Sequence, residues 1–103
     1  MTVAPAHKSI RESQIERTVC VWAKADGWLV FKFSSPSLRG VPDRMFIKDG
    51  LTVFIEFKAP HKKPTPLQTA TMAKMARYGA KVAWFDNSAD AIDWLRDLGT
   101  GRC

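Results

Sequence analysis

An Asp-Gly dipeptide at 49–50, set between two runs rich in β-branched and aromatic residues, constrains this chain more than any other feature. A two-residue Asp-Gly loop favours positive φ at both positions and so fixes the register of an antiparallel hairpin. The run 43–48 (DRMFIK) is therefore expected to fold back on 51–58 (LTVFIEFK). Side chains alternate along a strand, so Leu51, Val53, Ile55 and Phe57 share one face, while Glu56 and Lys58 share the other. Asp43 stands at the start of the first strand, so the hairpin brings two carboxylates and a lysine together. Oxygen donors of this kind hold a hard divalent cation such as Mg²⁺, with the backbone carbonyl of Phe57 as a third ligand and water completing the shell. Lys58 would then orient an attacking water or stabilise negative charge as it builds. The bland alternative is a surface salt bridge from Lys58 to Asp43 or Glu56, since exposed strands commonly carry such residues.

The charge balance narrows the partner. Sixteen Lys and Arg against ten Asp and Glu give a net charge of +6, which favours a polyanion and above all nucleic acid, although a basic balance also serves solubility alone. With 103 residues, 46% of them hydrophobic, the chain suits a single domain over 1–103 that buries roughly 60–65% of its unfolded surface. Cys20, Cys103, His7 and His61 have no spacing suited to zinc. The first residues lack the apolar core of a signal peptide, and no apolar run is long enough to span a membrane. The expectation is a reducing, cytoplasmic setting with no membrane and no small-molecule cofactor.

In chain order, 1–8 reads as a loose arm. Ser9 and Glu12 form a capping box for a helix running to about Ala25. Ile15, Val19, Trp22 and Ala23 make its buried stripe, with Arg17 and Lys24 on the far side. Glu16 lies at the stripe's margin, either solvated or looking across the sheet. The run 28–34 (WLVFKFS) is a strand with Lys32 on the face of Trp28 and Val30, either snorkelling at an edge or aimed at a site. A loop rich in Ser, Pro and Gly leads to Pro42 and Asp43. After the hairpin comes a basic loop with His61, Lys62 and Lys63. Thr65, Pro66 and Gln68 carry the cap, first-turn proline and box residue of a second helix, which ends at Gly79. Gln68, Met72, Met75 and Gly79 fall on one stripe, so Gln68 turns inward, either as a capping amide or as a partner of a buried carboxylate or phosphate. The run 81–85 (KVAWF) is a fourth strand. Asn87 or Ser88 caps a last helix on the stripe Ala91, Leu95 and Leu98, stopped by Gly99, with 99–103 as a tail. Trp28 and Trp94 fit core packing or a subunit interface. The class is α/β: a mixed four-stranded sheet flanked by helices.

The run SPSLRGVPDR, the hairpin, and IEFKAPHKKPTPLQ resemble the PD-(D/E)XK nuclease superfamily and, more narrowly, the stand-alone VRR-Nuc domains of bacteriophages and bacteria. The resemblance extends from about Ser13 to Asp86, and its specific part is GVPDR followed by E-x-K-x-P and P-x-Q. It implies the αβββαβ core with an added C-terminal helix. It places the family's helix-1 glutamate on Glu16, its metal aspartate on Asp43, its second acid on Glu56, its lysine on Lys58 and its glutamine on Gln68. Asp43, Glu56, the Phe57 carbonyl and, through water, Glu16 would hold Mg²⁺, with Mn²⁺ able to substitute. The implied activity is hydrolysis of DNA phosphodiesters leaving 5′-phosphate ends. The implied form is a homodimer acting on branched DNA such as Holliday junctions. Lys32, Arg39, Arg44, Lys62 and Lys63 are the candidate phosphate contacts. Two other readings remain: a catalytically silent nucleic-acid-binding module, and a nuclease without junction selectivity.

Overall fold

A computed structural model describes residues 9–35 and 38–101. The expected arm over 1–8, Pro36 and Ser37 of the loop before Asp43, and the last two residues of the tail lie outside the described residues. Seven elements follow in the expected order: α1 (Ile10–Ala25), β1 (Leu29–Lys32), β2 (Arg44–Lys48), β3 (Leu51–Phe57), α2 (Pro66–Arg77), β4 (Lys81–Phe85) and α3 (Ser88–Gly99). The strands form one sheet in the order β1-β2-β3-β4. The first three are antiparallel, and β4 runs parallel to β3 after the crossover through α2. Asp49 and Gly50 have φ of 50° and 81°, and Lys48 pairs with Leu51 across them. Positive φ at both central residues is what a two-residue hairpin loop requires.

One face of the sheet carries the core. Phe46, Val53, Ile55 and Phe57 are fully buried there against Val19 and Ala23 of α1 and Ala91 and Leu95 of α3. Full burial of side chains this size contributes roughly 1.5–3 kcal/mol each. Trp28 closes one end at 3% exposure, edge-on to Phe46 with ring centroids 6.5 Å apart. Trp94 packs on Phe85 at 5.7 Å. Trp28 is thus a core residue rather than an interface residue. On α1 the buried set is Glu16, Val19, Cys20 and Ala23, with Ile15 and Trp22 only partly covered, so the inward stripe is rotated from the expected one.

The opposite face receives α2, which packs over β4 and buries Met72. Its β1 end stays open, with Leu29 and Phe31 about half exposed. The last helix departs from expectation. Gly99 is inside α3, and the cap is Thr100. A Cβ on Gly99 would lie 3.3 Å from the Trp28 ring, so this glycine serves close packing of α3 on Trp28 instead of stopping the helix. No helix among the described residues is long and apolar enough to cross a membrane.

Candidate active site

The hairpin register decides which charges meet. Its last ladder pair is Arg44 with Ile55, so Asp43 and Glu56 stand at the next corresponding positions. Alternation then sends Arg44 to the α1 face of the sheet and Glu56 to the α2 face. The Asp43 carboxylate is fixed by the chain it opposes: its Oδ2 accepts from the backbone N–H of Phe57 at 2.8 Å. The loop entering Asp43 is fixed as well. Gly40 has φ of 83°, and a Cβ there would come within 2.8 Å of the Thr71 hydroxyl and 3.1 Å of the Leu67 carbonyl on α2. Any side chain would push this loop off α2, which accounts for glycine in GVPDR.

Glu56 is 3% exposed. Burying a carboxylate is costly without charge and hydrogen-bond partners, and two sit beside it. Lys58 Nζ lies 3.6 Å from Glu56 Oε2, and Gln68 Nε2 donates to the same oxygen at 2.8 Å. Gln68 Oε1 accepts from Lys58 Nζ at 3.1 Å and from the Thr65 N–H at 2.9 Å. The last bond belongs to the capping box of α2, completed by the Gln68 N–H donating to Thr65 Oγ1 at 3.1 Å. Because the Thr65 N–H demands an acceptor, the amide oxygen is turned toward it and the NH₂ toward Glu56. Both sequence readings of Gln68 therefore hold together: capping orients the amide that then bridges Glu56 and Lys58.

Glu16 goes elsewhere. It is 5% exposed on α1 and accepts a hydrogen bond from Arg44 Nε. Burial disfavours the Arg44 charge, but the bond to Glu16 and the nearby charges of Glu16 and Asp43 outweigh it, and its pKa is raised above the ordinary arginine value. Arg44 thus links Glu16 electrostatically to Asp43, and its guanidinium is already engaged within the chain. Among the described residues no three His, Cys, Asp or Glu side chains gather closely enough to hold a metal. The donor set of Asp43 and Glu56 still fits a hard cation that keeps several waters, since one or two carboxylates suffice for Mg²⁺.

The remaining candidate cations lie at the surface. Lys32 is exposed at the end of β1 and stands opposite Arg44. Arg39 is exposed, and its carbonyl accepts from the Thr71 hydroxyl at 3.4 Å. Lys62 and Lys63 are exposed in the loop after β3. That loop is tied down by a residue that sequence reasoning passed over: Asp86 Oδ2 accepts from the His61 N–H at 3.0 Å, where His61 has φ of 66°. The Asn87 amide and then the His61 N–H hold the Asp86 carboxyl below its usual pKa. Its place just before the α3 cap was the available signal, since an acid there lies at the end of the strand beside β3.

No family model matches the sequence. A protein of Acyrthosiphon pisum secondary endosymbiont phage 1 described as "Putative nuclease p44" is 39% identical over 79 residues, covering 76% of this chain and 85% of that protein. A solved structure described as "VRR_NUC domain" superposes with a TM-score of 0.76 at 25% identity, over 86% of this chain and 97% of that one.

Proposed function

This chain belongs to the VRR-Nuc nuclease family, and from that premise we propose that it is a divalent-metal-dependent DNA endonuclease that acts as a homodimer on branched DNA such as Holliday junctions. The observation that carries this reading is the buried Glu56 held by the partly buried Lys58 and by Gln68 of α2, on the strand whose hairpin partner delivers Asp43. A stability-driven surface has little use for a nearly buried carboxylate, lysine and amide at the margin of its core.

Asp43, Glu56 and the Phe57 carbonyl would hold Mg²⁺ or Mn²⁺, which when bound lowers the pKa of a coordinated water and polarises the scissile phosphate. In hydrolysis the water oxygen bonds to phosphorus and its proton passes to solvent. The bond to the 3′ oxygen breaks and that oxygen takes up a proton from solvent, leaving a 5′-phosphate and a 3′-hydroxyl. The Phe57 N–H holds the Asp43 carboxylate in one orientation, so it does not have to be ordered when substrate arrives. The Lys58 ammonium orients the attacking water or stabilises the charge gathering on the phosphate oxygens. Gln68 keeps Lys58 and Glu56 in register with one another. Glu16 acts at one remove, by fixing Arg44 beside Asp43. Arg39, Lys62 and Lys63 supply phosphate contacts near the centre. Two symmetric nicks across a four-way junction call for two active sites related by a twofold axis, which is the reason for proposing a dimer.

The test is cleavage of end-labelled four-way junction, flap and linear duplex DNA, with and without Mg²⁺ or Mn²⁺, beside Lys58→Ala. Paired nicks in the junction, lost with chelator and in the variant, are expected. Metal-independent cutting, or full activity in Lys58→Ala, would overturn the reading. Equal cleavage of all three substrates would remove the junction preference alone.

A further inference from the structure

A cavity of about 480 Å³ opens between α1 and the β1–β2 edge of the sheet, and Glu16, Arg17, Lys24, Lys32 and Arg44 line it. Four of these five are cations, and the carboxylate is already engaged by Arg44. The helix contributes by spacing: Arg17 and Lys24 are seven residues apart and stack along one stripe of α1. The sheet contributes by register: Lys32 stands directly opposite Arg44. Like charges facing each other across neighbouring strands are destabilising, and Glu16 offsets only the Arg44 half of this pair. No carboxylate among the described residues forms an ion pair with Arg17, Lys24 or Lys32. The result is a concave surface whose three uncompensated cations converge on one space. Arg44 follows Asp43 directly in the chain, so this space adjoins the metal-binding aspartate from the other side of the strand.

Resting on the endonuclease reading, we propose that this cavity is a second phosphate-binding site, which takes the sugar–phosphate backbone of the DNA strand running on from the scissile bond. Arg17 offers a planar fork that matches two phosphate oxygens, while Lys24 and Lys32 act as point charges on either side of it. Such contacts carry no base information and set where the strand lies. Seated here, the strand would relieve the Lys32–Arg44 repulsion that the free protein retains. The site therefore governs substrate affinity and leaves the chemical step to Asp43, Glu56 and Lys58.

The experiment compares the triple variant Arg17→Gln/Lys24→Gln/Lys32→Gln with a charge-matched control, Lys74→Gln/Arg77→Gln/Lys81→Gln, on α2 and β4. All six residues are exposed, and thermal melts establish that both proteins remain folded. Fluorescence anisotropy of labelled junction and duplex DNA is read in EDTA across a salt series, and cleavage is then read in Mg²⁺ or Mn²⁺. The cavity variant is expected to bind about tenfold more weakly, with a log–log salt slope shallower by about 2 to 3, while the control changes far less. KM rises in the cavity variant with kcat nearly unchanged. Equal losses in the two triples would reduce the effect to net charge and overturn the proposal, as would an unchanged slope or a wild-type protein that binds no DNA. Wild-type protein that binds with a cavity-dependent slope but cuts nothing in either metal would overturn the endonuclease reading and leave the binding site standing.

Discussion

The two faces of β3 carry opposite kinds of residue within a few ångströms of each other. Toward α1 and α3, Val53, Ile55 and Phe57 are completely buried in the apolar core cluster. Toward α2, Glu56 is almost as deeply buried yet is held by an ammonium and an amide. The first face gains free energy from removing carbon from water, and it has no chemistry to offer. The second recovers the cost of a buried charge only through hydrogen bonds of good geometry, and those same bonds fix the positions of reactive groups. α2 is correspondingly lightly attached, burying one methionine, and it carries Gln68 to Glu56. A single strand thus separates stability from reactivity by the alternation of its side chains.

The largest expected effect lies on the apolar face. Phe46→Ala should cost about 3–5 kcal/mol and lower the melting temperature sharply, whereas Phe31→Ser on the open face should cost about 1 kcal/mol or less. Similar losses from the two would break the division between faces. Next come Asp43→Asn and Lys58→Ala, each expected to slow cleavage by roughly 10²–10³-fold or more. The melt stays near wild type in Asp43→Asn, whereas Lys58→Ala leaves Glu56 buried without its ammonium and lowers the melting temperature. Asn at 43 retains an oxygen to accept the Phe57 N–H, so a collapse of stability there would mean that Asp43 is structural. Glu16→Gln is intermediate. It leaves Arg44 partly buried without its charge partner, costing about 1–3 kcal/mol, and it should raise the Mg²⁺ needed for half-maximal cleavage by about tenfold. An unchanged metal titration would confine Glu16 to packing.

The smallest effect concerns the basic loop. The Asp86 carboxyl titrates below its usual value, so its stabilising contribution is complete above the unfolded carboxylate pKa and is lost as pH falls through the folded one. Asp86→Asn should therefore be slightly less stable than wild type at neutral pH, with the two melting curves converging as the solution is acidified through the carboxylate range. A difference that persists undiminished at low pH would assign the effect to lost packing instead of charge.

Local chemistry made much of this legible in the sequence. The Asp-Gly loop set the hairpin register, which brings Asp43 opposite Glu56, and alternation along the second strand put Glu56 and Lys58 on one face opposite the apolar residues. Thr65, Pro66 and Gln68 announced α2 by capping. What could not be read depended on contacts between elements distant in the chain. Glu16 meets Arg44 across 28 residues, and Asp86 meets the His61 N–H across 25. No spacing rule links such positions. Gly99 looked like a stop signal because glycine commonly ends helices, whereas here the Trp28 ring excludes a larger residue. The α1 stripe rotated for a related reason: the Arg44 guanidinium draws a carboxylate inward that periodicity alone leaves at the margin.

The short Asp49-Gly50 loop also orders events in time. Asp43 and the Phe57 N–H are only 14 residues apart, so one hairpin closure brings the two acidic strands together. Hairpins of this kind form within roughly 1–10 μs. The parallel pairing of β3 with β4 must wait for the whole α2 crossover to close, and loop-closure entropy delays such contacts. Two carboxylates are therefore brought side by side in the nascent chain before the helix carrying Gln68 has docked. Docking of α2 then joins the amide to a pair already in place.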